Sequence, residues 1–163
     1  MRLSTKGRYA VTAMVDISRH GGDRPISLGA IAARQEISLS YLEQLFAKLG
    51  RHGLVRSVRG PGGGFHLAKP AAEIMIADIV RAAEEEIKTT NCSGDPSNGC
   101  KQDHSRCLTH DLWEELGGVI QNYLASVSLA MVADGQLQSA HACGAKREFD
   151  FITQPGVAAV AHG

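Results

Sequence analysis

Cys92, Cys100 and Cys107 fall within a span of 16 residues, and His110 follows three positions after the last of them. Three thiolates and an imidazole suit tetrahedral zinc or an iron–sulfur cluster. Structural zinc sites favour cysteines two to four residues apart, and the separations here, seven and six residues, are longer. Such spacing suits a 2Fe–2S cluster better, because its ligands must spread around a wider object. Zinc and inert thiols remain the other readings. Cys107 and His110 stand three apart where a helix is expected to begin, so both can face one metal. His104 is the competing ligand, or otherwise an exposed loop histidine. Cys143, beside His141, has no comparable neighbours.

The compartment bears on that chemistry. Thr12, Asp16 and Ser18 interrupt the apolar stretch near the N-terminus, which argues against a secretory signal. A reducing, cytoplasmic setting is therefore expected, where clustered cysteines serve metal or redox chemistry rather than disulfides. A thiol enzyme is poorly supported: there is no C-x-x-C and no general base evidently paired with a cysteine.

A second chemical signal is hidden by a formal net charge of zero. Residues 1–69 hold 11 Lys and Arg against 4 Asp and Glu, a balance of +7, while residues 70–163 hold 6 against 13, a balance of −7. Opposite halves of this kind suggest one face built for a polyanion. Chance segregation of solvated charge is the alternative, and charge alone does not decide. The 163 residues are 44% hydrophobic and 21% charged, a composition that fits one compact soluble domain with an arm. No run of apolar residues is long enough to span a membrane.

These residues must be held by helices and a hairpin. Thr5 can cap a first helix whose apolar positions Ala10, Ala13, Met14 and Ile17 recur at helical spacing. Gly21, Gly22 and Pro25 end it. A short second helix follows Ser27 and stops near Gln35. Ser38 or Ser40 caps a third, with Ser40 and Glu43 at capping-box spacing and Leu42, Leu45, Phe46 and Leu49 as its apolar stripe. Gly53 suits the end of that helix. Leu54–Val58 and Phe65–Ala68 read as two strands around a glycine-rich loop. After a fourth helix, a polar stretch over 88–106 leads to a long helix from about Thr109 to Val132. That helix carries Leu112, Leu116, Val119, Tyr123, Val127 and Ala130 on one stripe, wide enough to need a partner helix.

The second and third helices fit a helix-turn-helix, with Glu36 where the turn usually holds glycine. The hairpin directly after them turns the pair into a winged helix-turn-helix, whose helix enters the major groove while the wing follows the backbone or minor groove. Gly60, Gly62, Gly63 and Gly64 remove side chains, so their backbone N–H groups can approach phosphates. Arg59 at the wing tip suits a narrow, electronegative minor groove. The expected fold is mainly α with a small β-hairpin wing. Its divisions are a DNA-binding domain over 1–85, a cluster-binding loop over 86–108, a dimerisation helix over 109–133 and a flexible tail over 134–163.

Four stretches carry a family resemblance: MRLSTKGRYAV from Met1, SLSYLEQLF from Ser38, VRGPGGG from Val58 and CLTHDLW from Cys107. They are similar to the Rrf-type winged-helix transcription regulators, in the branch that governs iron–sulfur cluster biogenesis. The likeness runs from residue 1 to about 133. It implies a homodimer that binds double-stranded promoter DNA and holds a 2Fe–2S cluster received from the cluster-assembly machinery. Cys92, Cys100, Cys107 and His110 would be the ligands. Ser38, Ser40, Tyr41 and Gln44 would contact DNA, and Glu43 would restrict which sites the cluster-free protein accepts. Nitric-oxide-sensing relatives take a carboxylate ligand from the first helix, and Lys6-Gly7-Arg8-Tyr9 offers none. A zinc-binding or thiol-redox regulator of the same fold, sensing oxidants or nitric oxide, is the alternative function.

Overall fold

A computed structural model describes residues 5–84 and 105–137. The chain begins with α1 (Thr5–His20), whose Ala10, Ala13, Met14 and Ile17 are all buried, as their spacing required. α2 (Leu28–Gln35) starts at Ser27, whose hydroxyl accepts from Ala30 N at 3.2 Å. It stops at Glu36, which adopts φ 54° and ψ 38°. That left-handed conformation strains a residue bearing a Cβ by about 1–2 kcal/mol. It turns the chain sharply into α3 (Leu39–Arg51). Leu42, Leu45, Phe46 and Leu49 are buried along the inner side of α3, each contributing roughly 1.5–3 kcal/mol.

Gly53, at φ 67°, closes α3: its N–H donates to Gly50 O, while Leu54 N donates to Leu49 O, both at 3.0 Å. This paired closure satisfies carbonyls that the helix end would leave orphaned. It also aims the chain into the wing. β1 (Val55–Val58) and β2 (Gly64–Leu67) pair antiparallel, Val55 with Leu67 and Val58 with Gly64. Ile26 adds a one-residue third strand, exchanging both backbone bonds with Phe65 at 3.0 and 2.8 Å. Phe65 in turn stacks edge-on against Phe46 with ring centroids 4.8 Å apart. The wing is thereby bolted to the recognition helix and to the start of α2.

A short 3-10 turn (Ala71–Glu73) leads to α4 (Ile76–Glu84), which packs on α1. The helix expected over 109–132 is two helices, α5 (His110–Ser126) and α6 (Leu129–Ala133). The break has a physical cause. Val127 is extended so that its carbonyl accepts from Ile76 N at 2.9 Å, and Leu129 N donates to Ile74 O at 2.8 Å. Ser128 then caps α6, accepting from Met131 N. Val127 therefore leaves the α5 stripe for the core, and α6 packs against α1, where Arg19 Nε donates to Ala133 O at 2.7 Å.

Candidate nucleic-acid interface and metal-ligand residues

α2, the Glu36 turn and α3 form the helix-turn-helix. Its angle to the rest of the core is held by a buried carboxylate. Asp16 of α1 accepts from Arg34 Nε at 3.0 Å, Arg34 Nη2 at 2.5 Å and Gln35 Nε2 at 2.7 Å. Burial pushes the Asp16 carboxyl up, but hydrogen bonds from Arg34 and Gln35 and the charges of Arg34 and His20 outweigh it, holding the group below the usual carboxylate range. The same contact raises Arg34. In the sequence Asp16 stands only as an interruption of an apolar run. A carboxylate inside a helix stripe, 18 residues before an arginine, carries no local signal of its partner.

α3 begins at Ser38, whose hydroxyl accepts from Tyr41 N at 3.3 Å. Ser38 is the cap, so Ser40 and Glu43 do not form the expected capping box. Both lie one position group further along the helix, exposed, together with Gln44. Tyr41 is half-buried and meets Tyr9 of α1 edge-on, centroids 5.7 Å apart. Ser38, Ser40, Tyr41, Glu43 and Gln44 are thus gathered on the first two turns of α3, while Leu42 and Leu45 face the core. Lys48, further along, is turned away: its Nζ donates to Ala83 O at the end of α4.

At the wing tip Arg59, Gly60 and Gly62 are exposed. Gly63 N donates to Gly60 O at 2.9 Å, and Gly62 has φ 74°, the pattern of a type II turn with Pro61 and Gly62 at its centre. Gly63 and Gly64 are glycine for a different reason. A Cβ on Gly63 would lie 2.4 Å from Val58 O, and one on Gly64 would lie 2.4 Å from Ile26 O. These two are needed by the packing of the wing itself, and Gly60 and Gly62 by its turn.

Of the expected metal ligands, Cys107 and His110 are described, while Cys92, Cys100, the competing His104 and Cys143 lie outside the described residues. His110 N donates to Cys107 O at 3.1 Å, forming the turn that opens α5. Cys107 is half-buried, with its Sγ 3.8 Å from Thr109 Oγ1. The His110 imidazole is largely covered, and its Nε2 lies 3.4 Å from Glu114 Oε2. A soft thiol and an imidazole joined by one helical turn are a donor pair that suits an iron–sulfur cluster or zinc. His110, Asp111 and Glu114 also approach one another, but Asp111 pairs with Arg106 at 3.3 Å and both acids are exposed.

α5 leaves much of its apolar surface in water: Leu112, Trp113, Val119 and Tyr123 are 44–59% exposed. No helix among the described residues is long and apolar enough to cross a membrane.

A helix-turn-helix with a glycine-tipped wing, followed by a separate helix with an apolar exposed face, has the architecture of winged-helix DNA-binding proteins. The family model described as an iron-dependent transcriptional regulator, Rrf2, matches residues 3–135, and the chain belongs to the Rrf2 family. It is 51% identical over 136 residues to the HTH-type transcriptional regulator IscR of Photorhabdus laumondii, covering 83% of this chain and 81% of that one. It is 49% identical over 136 residues to IscR of Yersinia pestis, with the same shares covered. Among solved structures, IscR of T. potens superposes with a TM-score of 0.67 at 38% identity, over 88% of this chain and 94% of that one. CymR, the global cysteine regulator of B. subtilis, superposes with a TM-score of 0.67 at 32% identity, over 83% and 98%. The chain is a DNA-binding transcription regulator of the Rrf2/IscR type.

Proposed function

We propose that this regulator senses iron–sulfur cluster status and controls cluster-biogenesis genes through a 2Fe–2S cluster held by Cys92, Cys100, Cys107 and His110. The observation that carries the reading is the Cys107–His110 turn at the start of α5, in a chain half identical to IscR proteins. When bound, the cluster supplies an oxidant- and iron-sensitive group whose loss reports scarcity. The chain's own part is positional. α4 and α5 flank the segment that holds the ligands, and both pack in the domain that carries α3. Cluster occupancy then biases how two copies present their recognition helices. DNA and cluster favour each other by the same factor if either favours the other.

Two copies meet through the exposed face of α5, and the cluster-assembly machinery supplies the cluster. Ser38, Ser40, Tyr41, Glu43 and Gln44 read the major groove, while Arg59, with Gly60 and Gly62, follows the minor groove. The likeness to CymR, the global cysteine regulator of B. subtilis, favours one second reading, a thiol regulator without a cluster. Purification without oxygen decides between them. Visible absorption with matching iron and sulfide, and promoter binding that changes when the cluster is removed, support the first. A colourless protein whose DNA binding follows thiol oxidation supports the second.

A further inference from the structure

From Gln44 to Ala72 the chain has no Asp or Glu, yet that stretch holds Lys48, Arg51, Arg56, Arg59 and Lys69 with His52 and His66. Two of these basic residues face each other. The register of the wing sets Arg56 directly opposite His66. Val55, Phe65 and Leu67 turn to the core, so the two-residue period of a strand puts Arg56 and His66 together on the outward face. Arg56 is exposed and His66 half-buried.

α3, which packs on β1, carries Glu43, Lys48 and Arg51. On the far side of β2, the pairing of Ile26 with Phe65 brings Pro25 beside His66. The nearest charged residues along the wing are Arg59 and Lys69, and the turn before Ile26 carries Asp23 and Arg24. α1, which packs on β2, carries Lys6, Arg8, Asp16, Arg19 and His20, of which Asp16 is held by Arg34 and Arg19 by Ala133 O. Among the described residues, no carboxylate forms an ion pair with Arg56 or His66. Two basic side chains directly opposite on a hairpin repel whenever the imidazole is protonated. A phosphate between them reverses the sign.

We propose that Arg56 and His66 form a phosphate clamp on the outer face of the wing, and that this clamp makes DNA binding tighten as pH falls. The proposal rests on the reading of the wing as a DNA-contacting element. An imidazole ordinarily changes charge between about pH 5 and 8. Protonated, His66 adds a second cation beside Arg56, so DNA binding takes up a proton and affinity rises on acidification. A pair with a purely structural role would lower affinity only together with stability.

The test compares the full chain with Arg56→Gln, His66→Gln and His66→Lys. Two duplexes serve as probes, one of random sequence and one selected by the wild-type chain from a random pool. On both, Arg56→Gln is expected to flatten the dependence of log K on log salt by about 0.9, the loss of one phosphate contact. Wild type should bind several-fold more tightly at about pH 6 than at about pH 8, His66→Gln should lose that difference, and His66→Lys should bind at the higher pH as wild type does at the lower. Thermal melts of both glutamine variants should stay close to wild type, as for surface substitutions. Variants with the wild-type salt slope and pH profile overturn the clamp, as do variants whose affinity falls only in step with melting temperature. A wild-type chain that bound neither duplex would overturn the DNA-contacting wing and the clamp together.

Discussion

Arg34 holds both oxygens of Asp16, Nε to Oδ2 at 3.0 Å and Nη2 to Oδ1 at 2.5 Å. This joins the middle of α1 to the last turn of α2, two residues before the left-handed Glu36 that aims the recognition helix. The carboxylate is wholly covered, while the Arg34 side chain keeps 35% of its surface in water. Asp16→Ala is therefore expected to cost about 3 kcal/mol, near the lower end for breaking a buried pair. The folded-state carboxyl sits below its unfolded value of about 3.9, so its stabilisation is complete above that pH and fades as pH falls through the folded value. Urea titrations of wild type and Asp16→Ala should differ fully at neutral pH and converge below about pH 4. A difference that stayed constant into acid would refute the ion-pair account.

The left-handed Glu36 predicts a change of opposite sign. Glu36→Gly relieves about 1–2 kcal/mol of strain and loses about 0.5–1 kcal/mol to the freer unfolded chain. A small net gain in the denaturation midpoint is expected. Two substitutions to alanine in the wing, at Gly64 and at Arg59, differ from each other in effect. Gly64→Ala places a Cβ 2.4 Å from the Ile26 backbone and should break the third-strand pairing, whereas Arg59→Ala should leave stability within about 0.5 kcal/mol of wild type. Amide exchange at Phe65 and Ile26 reads the first effect, and a protected Ile26 amide in Gly64→Ala would contradict it.

Glu43 separates selectivity from capping. Ser38 caps α3 and Glu43 is exposed one turn on, so Glu43→Ala should leave the melting temperature nearly unchanged while broadening the promoters bound without cluster. Ser38→Ala should lower stability by about 1 kcal/mol. Melting curves beside affinities for a promoter panel check both. Uniform weakening of Glu43→Ala on every site, with a lowered melting point, would contradict the selectivity role.

The contrast between Ser38 and Asp16 shows what a single sequence can convey. Caps, stripes and the wing are local, so Ser27, Leu42, Phe46 and the hairpin were legible from spacing. The choice between Ser38 and Ser40 was not, because two hydroxyls two residues apart offer the same chemistry and only the Glu36 turn selects between them. The helix break at Val127 depends on backbone bonds to Ile74 and Ile76, some fifty residues away, and no propensity in Leu-Ala-Ser-Val-Ser forecasts them. Asp16 with Arg34, and Lys48 with Ala83, likewise join elements distant in sequence. The proposed ligand set stands in the sequence as a cluster of residue types, and Cys107 with His110 is the part of it within the described residues.

The α5 face yields a prediction about assembly. Leu112, Val119 and Tyr123 are each nearly 60% exposed and recur at spacings that share one side of a helix. Val119→Asp should convert a dimer at micromolar concentration into monomers, with the melting temperature of the winged-helix core little changed. Sedimentation of wild type and variant measures this. A wild-type monomer, or a Val119→Asp dimer, would contradict the assignment of the face.

Cluster binding is tested most directly by counting iron and acid-labile sulfide in the chain purified without oxygen, beside Cys107→Ala and Cys143→Ala. Wild type and Cys143→Ala should each hold about two iron and two sulfide per chain, and Cys107→Ala should hold almost none. A wild-type chain lacking sulfide, or a Cys107→Ala chain with its full complement, would contradict the cluster and its ligands.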